Sequence, residues 1–449
     1  MLATSVFLSA LDAFIVNVAL TPIGQGVGET SLSRLSWILN GYAIVYAALL
    51  VPAGRLVDRY GHKAGFLLGL GVFTAASLGA AVSGDLWVLV GFRFLQAAGA
   101  AVLTPASLGL VLTTAPPAKV TRHVQIWAAS GSLAAAAGPV VGGLLVQVAW
   151  QWIFLLNLPI GILALTMAVR LLPAGRRSPD TRLPDLLGGA LLVVAIGALA
   201  LGLVQGPEWG WTTGPTLAAF TLSATALMLC LRRSARHAVP VVDLILLRDR
   251  VFAWANIAAV LFYAAFAIQL LGITLWLQQV WHWSAIETGL GVAPGPAMVF
   301  MAAALGRRLA RHVPTGTVAA TGAALVALGT AWVALNARGP LDYAADILPG
   351  WLVAGVGVGL ALPTIISSAT SGLPKDRGAT GSAIVAMAGQ VGTVLGVSVL
   401  VVILAATGSG GSAHSFSLAW WTSAGAMAAS GLAALGLTPR RHPPTAAAG

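Results

Sequence analysis

The stretch Gly54-Arg55-Leu56-Val57-Asp58-Arg59-Tyr60-Gly61-His62-Lys63 sets four charged side chains and a histidine between two long apolar runs, in a chain that is only 8% charged. Residues 38–52 before it and 64–82 after it are each apolar over most of a bilayer's thickness. The ten residues between them therefore read as a tight turn at a membrane surface. A second copy, Gly306-Arg307-Arg308-Leu309-Ala310-Arg311-His312, also joins two apolar runs, with Ala310 where the first has Asp58. The two turns lie about 250 positions apart in a chain of 449 residues.

Composition bounds the class. The chain is 58% hydrophobic with a mean hydropathy of +0.90, whereas soluble domains carry roughly a quarter charged residues. Repeated apolar runs with short Gly, Pro or Arg joints imply an all-α integral membrane protein; a barrel would alternate every second residue. A net charge of +11 would suit nucleic acid, but the basic residues sit in the joints between apolar runs, so the partner implied is the lipid bilayer. The first run lacks a basic leader and a small-residue exit and contains Asp12, so it reads as a span and not as a secretory signal. Cys230 is the single cysteine, which leaves no internal disulfide.

Apolar runs and breakers predict spans over 3–22, 37–56, 64–83, 86–110, 122–147, 152–172, 185–205, 214–231, 251–279, 286–305, 316–335, 345–368, 378–405 and 416–436, about fourteen helices. With both termini cytoplasmic, 21 of the 24 Lys and Arg residues fall in cytoplasmic joints or the tail, among them Lys375, Arg377, Arg440 and Arg441. Arg34 and Arg338 fall outside, and Arg93 falls within a span. Omitting one helix would invert every later joint and scatter the bias. The 250-residue offset then fits two parallel six-helix halves separated by two inserted helices. Gly131-Ser132 recurs as Gly381-Ser382, and residues 91–105 resemble 350–363, at a similar offset. The organisation expected is 1–172 for the first bundle, 173–250 for the inserted pair, 251–437 for the second bundle and 438–449 for a cytoplasmic tail.

These residues resemble the major facilitator superfamily, and within it the fourteen-helix drug:proton antiporters of multidrug efflux and antibiotic resistance. The turn at 54–63 resembles the superfamily's joint between its second and third helices. Leu11-Asp12-Ala13-Phe14-Ile15-Val16-Asn17-Val18-Ala19-Leu20 is similar to the first-helix motif of the fourteen-helix group. Arg93-Phe94-Leu95-Gln96 with Gly99-Ala100-Ala101 resembles the fourth-helix motif. Gly138-Pro139-Val140-Val141-Gly142-Gly143 resembles the fifth-helix motif of antiporters, and Trp150-Gln151-Trp152-Ile153-Phe154-Leu155-Leu156-Asn157-Leu158-Pro159 the start of the sixth helix. Ala97, Gln151 and Gly389 depart from the residues usual in those motifs, and the short lead before the first span leaves room for a longer start. The resemblance implies the major facilitator fold and a secondary transporter at the cell membrane. It would exchange protons for amphipathic drug-like small molecules, cations included, with no cofactor beyond the proton gradient.

Asp12 stands roughly 15 Å into the first span at 1.5 Å per residue, near the bilayer centre. An ionised carboxylate there costs about 2.5 to 3.5 kcal/mol on insertion scales, so it should face the bundle interior and be able to take up a proton; the alternative is a structural carboxylate bonded to a neighbouring helix. Arg93, roughly 10 Å inside the fourth span, must pair or snorkel to the headgroups. By the resemblance Asp12 is its candidate partner, with Gln96 one turn on. Gly131, Ala135, Gly138 and Gly142 share one face of the fifth span, and Pro139 kinks it, which suits a sealing and hinging element that includes Gly143, or plain packing. In the opening turn, Asp58 and Arg59 could form a charge latch, with Gly54 and Gly61 supplying close approach and Arg55 and Lys63 the remaining charge. The alternative is topology signalling by charge alone. Phe14, Asn17, Gln96, Gln125, Trp127, Gln269 and Gln278 are candidate cavity residues, and Trp276, Trp281 and Trp283 suit an interfacial belt.

Other classes fit less well. No Gly-x-x-x-x-Gly-Lys-Ser/Thr phosphate loop and no His-Glu-x-x-His occur, which speaks against nucleotide use, a metal site and a membrane-embedded lipid enzyme. A passive channel gives no reason for Asp12 and Arg93. A carrier of one specific metabolite, siderophore or self-made antibiotic would share the same machinery, and a monomer is the expected state.

Overall fold

The computed structural model describes residues 2–116, 119–172, 185–309, 312–337, 342–371, 373, 378–406 and 413–438. Among them there are helices and no strands. Fourteen long helices follow in order: α1 (Leu2–Val27), α2 (Trp37–Tyr60), α3 (His62–Ala81), α4 (Leu86–Thr114), α5 (Val120–Val146), α6 (Trp152–Leu155 continued by Asn157–Leu171), α7 (Leu186–Trp209), α8 (Gly214–Ser234), α9 (Arg250–Gln279), α10 (Ala285–Val292 continued by Pro294–Leu309), α11 (Thr315–Asn336), α12 (Leu348–Ser371), α13 (Gly378–Ala405) and α14 (Ala413–Ala434). The first thirteen are long and apolar enough to cross a membrane. The 22 residues of α14 are less apolar, and its serines have partners: Ser423 Oγ donates to the Ala265 carbonyl and Ser430 Oγ to the Ala258 carbonyl, each at 2.8 Å. Interhelical bonds of this kind hold polar residues inside a membrane bundle.

Local chemistry sets the ends. Asp85 caps α4 by accepting from the backbone N–H groups of Trp87 and Val88, Asp249 caps α9, and Ser284 with Glu287 forms a capping box at the start of α10. α10 is interrupted at Ala293, which keeps helical dihedrals, because the following Pro294 has no N–H to continue the helical hydrogen bonds. The charged stretch is not a ten-residue turn. Its residues 54–60 form the last two turns of α2, and the chain reverses at Gly61 alone, whose φ of 102° suits a residue without a Cβ. Arg and Leu are good helix formers, so the helix runs past the apolar limit until the glycine stops it.

α1 packs on α5, α4 on both α2 and α3, and α6 on α3; in the later part of the chain α12 packs on α10 and α11, and α9 on α13 and α14. The two sets meet along α2 with α13 and along α5 with α10. α7 pairs with α8 and rests on both α2 and α13. Trp276 and Trp281 are buried, with Trp276 packed edge-on against Phe416 and Trp420, so they form an aromatic core where a lipid-facing belt was expected. The boundary at 173, Arg176, Arg177, Arg182, Ala310, Arg311, Arg338, Lys375, Arg377 and nearly all of the 438–449 tail lie outside the described residues.

Candidate functional site

Asp12 on α1 is a buried carboxylate, 1% exposed. Its Oδ2 accepts from Arg93 Nη1 on α4. Its Oδ1 accepts from Gln96 Nε2 at 2.8 Å and from Asn157 Nδ2 on α6 at 3.1 Å. Gln96 Nε2 and Asn157 Nδ2 also reach Ser77 Oγ on α3, at 2.8 and 3.2 Å, and Gln96 Oε1 accepts from Arg93 Nη1 at 2.6 Å. Arg93 Nε donates to the Ile38 carbonyl at 3.2 Å, and its guanidinium lies 4.3 Å from the centre of the Tyr42 ring. Five helices thus converge on one carboxylate. Each donor fills an acceptor position of the carboxylate, and the pair is held where an unpartnered charge of either sign would be costly. Arg93 pairs and does not snorkel.

Beside this cluster lies a cavity of about 440 Å³ between the two sets of helices. Phe14, Asn17, Tyr42 and Tyr46 line it from the first set, and Tyr263, Gln269, Trp351 and Gln390 from the second. Arg93 borders the cavity; Asp12 stands behind it and does not. A profile of the Major Facilitator Superfamily matches residues 2–397.

The chain belongs to this superfamily. It is 33% identical over 410 residues to a methylenomycin A resistance protein of Streptomyces coelicolor, covering 90% of this chain and 85% of that one. It is 33% identical over 406 residues to a multidrug resistance protein of Mycobacterium tuberculosis, covering 89% and 74%. Its fold is similar to that of a crystal structure of a peptide transporter in complex with sulfate, with a TM-score of 0.69 at 18% identity over 97% of this chain and 92% of that one. The curated relatives are drug and antibiotic resistance proteins, and this chain is a multi-pass membrane transporter of the same superfamily.

Of the expected cavity residues in this superfamily member, Phe14, Asn17 and Gln269 line the cavity. Gln96 is instead buried in the Asp12 cluster, where its amide bridges carboxylate and serine. Gln125 is exposed near the start of α5. Trp127 donates to Ser107 Oγ at 3.0 Å, and Gln278 donates to the Val18 carbonyl at 2.9 Å, so both serve helix packing outside the cavity. Ser77, Asn157 and Tyr263 were missed; Asn157 was visible only as part of the sixth-helix motif.

The latch residues divide. Asp58 faces His62 at 3.6 Å, one turn on. Of the latch residues, Arg55 bonds across the two sets, its Nη2 donating to Thr380 Oγ1 on α13 at 2.9 Å. Lys63 Nζ caps α6 by donating to the carbonyls of Leu172 at 2.5 Å and Val169 at 3.2 Å, as cations do at helix C-termini. A Cβ on Gly54 would meet Pro105 only at ordinary contact, 3.7 Å. The small-residue face of α5 also divides. A Cβ on Gly138 would come within 2.6 Å of Phe14 Cβ, and one on Gly142 within 3.2 Å of the Ile15 carbonyl oxygen, so both belong to packing on α1. Gly131 also faces α1, at Val6, and borders the cavity. Gly143 faces the second set, where a Cβ would sit 2.8 Å from Ile286 Cα, and Pro139 faces Gly289 on α10 of the same set.

Proposed function

We propose that this transporter exports amphipathic drug-like small molecules in exchange for protons by alternating access, with Asp12 as the proton carrier and Arg93 as its counter-charge. The observation that carries the reading is the buried carboxylate bonded by three donors from two helices, α4 and α6, directly behind a cavity between two helix sets. Protonation removes the reason for Arg93 to stay paired, so the cluster has two electrostatic states that can bias two arrangements of the helices. A proton entering down 100 mV releases about 2.3 kcal/mol, enough for roughly a fifty-fold gradient of a neutral substrate. The energy source is the proton gradient, without a bound cofactor. The protein acts as a monomer in the cell membrane with both termini cytoplasmic and is no enzyme.

The test is Asp12→Asn in proteoliposomes with an imposed pH gradient. Uphill export and proton release should both vanish while the variant still folds. Undiminished pumping would overturn the mechanism and leave the fold intact. A specialist exporter of one antibiotic is the second reading, favoured by the relative named for methylenomycin A alone. Export of several unrelated drugs at similar rates would exclude it.

A further inference from the structure

The cavity has a one-sided charge inventory. Among the described residues that line it, Arg93 is the single charged side chain. Asp12 is walled off behind Arg93, Gln96 and Asn157. Several donors on the lining remain unused among the described residues: Arg93 bonds through Nε and Nη1 and not through Nη2, and the hydroxyls of Tyr42 and of Tyr263 on α9 and the Gln390 amide make no hydrogen bond. The rest of the lining is largely aromatic and aliphatic, with Phe14, Tyr46, Phe266 and Trp351 among its larger side chains.

Three charge classes of substrate meet this site differently. A cation would approach a guanidinium with no carboxylate to answer it. The Tyr42 ring, which could otherwise stabilise a cation, already holds Arg93 at 4.3 Å. An anion would bind the guanidinium well, but its charge would also favour a proton on Asp12. Binding is reciprocal, so anion and proton would then load together, which is opposed to exchange. An uncharged molecule escapes both conflicts. Its acceptors satisfy idle donors, Arg93 Nη2 and Tyr263 Oη among them, and its rings fill a cavity of drug-sized volume.

We infer that the substrates are uncharged, planar aromatic molecules bearing hydrogen-bond acceptors such as ring carbonyls, taken up by Arg93 Nη2 and Tyr263 Oη. This rests on the proton-exchange reading above, because exchange is what disfavours the anion. The site thereby selects against lipophilic cations.

The experiment is equilibrium binding of matched compounds to the full-length protein: hydroxymethylanthraquinone, anthraquinone carboxylate, anthraquinonylmethyl-trimethylammonium, and hydroxymethylanthracene, which lacks the ring carbonyls. The uncharged quinone should bind at least tenfold more tightly than each of the other three. Tyr263→Phe should weaken the quinone several-fold and leave the anthracene unchanged. Val299→Trp, which fills the cavity from α10, should abolish quinone binding while preserving the folded state. Equal or tighter binding of the ammonium or carboxylate compound, equal loss of quinone and anthracene in Tyr263→Phe, or no binding of the quinone would each overturn the inference. Tight quinone binding without pH-driven movement in vesicles would sink the exchange reading instead and leave the recognition of uncharged acceptors standing.

Discussion

Arg55 on α2 donates to Thr380 on α13 at 2.9 Å, tying together residues 325 positions apart. Asn40 and Ser398 make a second, weaker tie on the same seam at 3.5 Å, toward the opposite end of α2. This seam is therefore bonded near both ends. α7 backs it: a Cβ on Gly189 would meet Pro52 at 3.3 Å, and Glu208 accepts from Ser33 Oγ at 2.6 Å. A seam held at both ends suits an axis about which two bundles rock, with larger movement on the α5–α10 side. Arg55→Ala and Thr380→Val should each slow transport several-fold, and the double variant should be no slower than either. A cycle on transport rates should return a coupling of about 1 kcal/mol, in the range of one partly exposed hydrogen bond. Additive effects would mean that the bond has no part in the cycle.

The Asp12 and Arg93 pair should show the asymmetry of a buried ion pair. Arg93→Leu strands a carboxylate among apolar helices and should cost about 3–5 kcal/mol of stability. Adding Asp12→Asn removes the stranded charge, so the double variant should recover most of the loss in thermal unfolding in detergent. A double variant as unstable as Arg93→Leu would show that Arg93 acts through its contacts with Ile38 and Tyr42 and not through its charge.

Glu208 at the end of α7 gives the inserted pair a testable role. Its carboxylate accepts from Ser33 and Ser31, just before α2, so it fastens α7 to the first set of helices. Glu208→Ala should leave proton-coupled export possible and lower its rate two- to fivefold, with a stability loss of about 1 kcal/mol. Transport at the full rate would show that the inserted pair is not fastened through this contact.

The fourteen helices were legible because each needs an apolar run of bilayer length and because the basic residues sort to one side. Asp12 and Arg93 were legible for the converse reason: charge inside such a run is rare enough to mark a site. Ser77 was not, since a lone serine in an apolar helix gives no sign of the direction it faces. Gln125 and Gln96 show the same gap, one ending exposed and the other in the charge cluster. Polarity alone does not give a residue's azimuth, and the azimuth is fixed by helices far away in sequence. The direction of the latch charges was not legible either: Asp58 and Arg59 look like a natural pair on paper, yet adjacent residues of a helix point in different directions, and Asp58 meets His62 at i+4.

Gly143 offers the sharpest test of how the two bundles meet. It is the member of the α5 small-residue group that faces α10, with Ile286 Cα only 2.8 Å from where its Cβ would stand, while Gly138 and Gly142 face α1 within their own set. Contact this close is backbone to backbone, so neither side can give way by turning a side chain. Gly143→Leu should therefore wedge α5 from α10 at this end and leave the Asp12 cluster intact. Export should fall at least tenfold, with Kd for a bound substrate little changed, because the block lies in the conformational step. Gly138→Leu, by contrast, should disrupt α1 against α5 and lower thermal stability as well as export, since its Cβ would press on Phe14 at 2.6 Å. If Gly143→Leu transports normally, the α5–α10 contact does not have to close during the cycle, and the moving seam must be sought elsewhere.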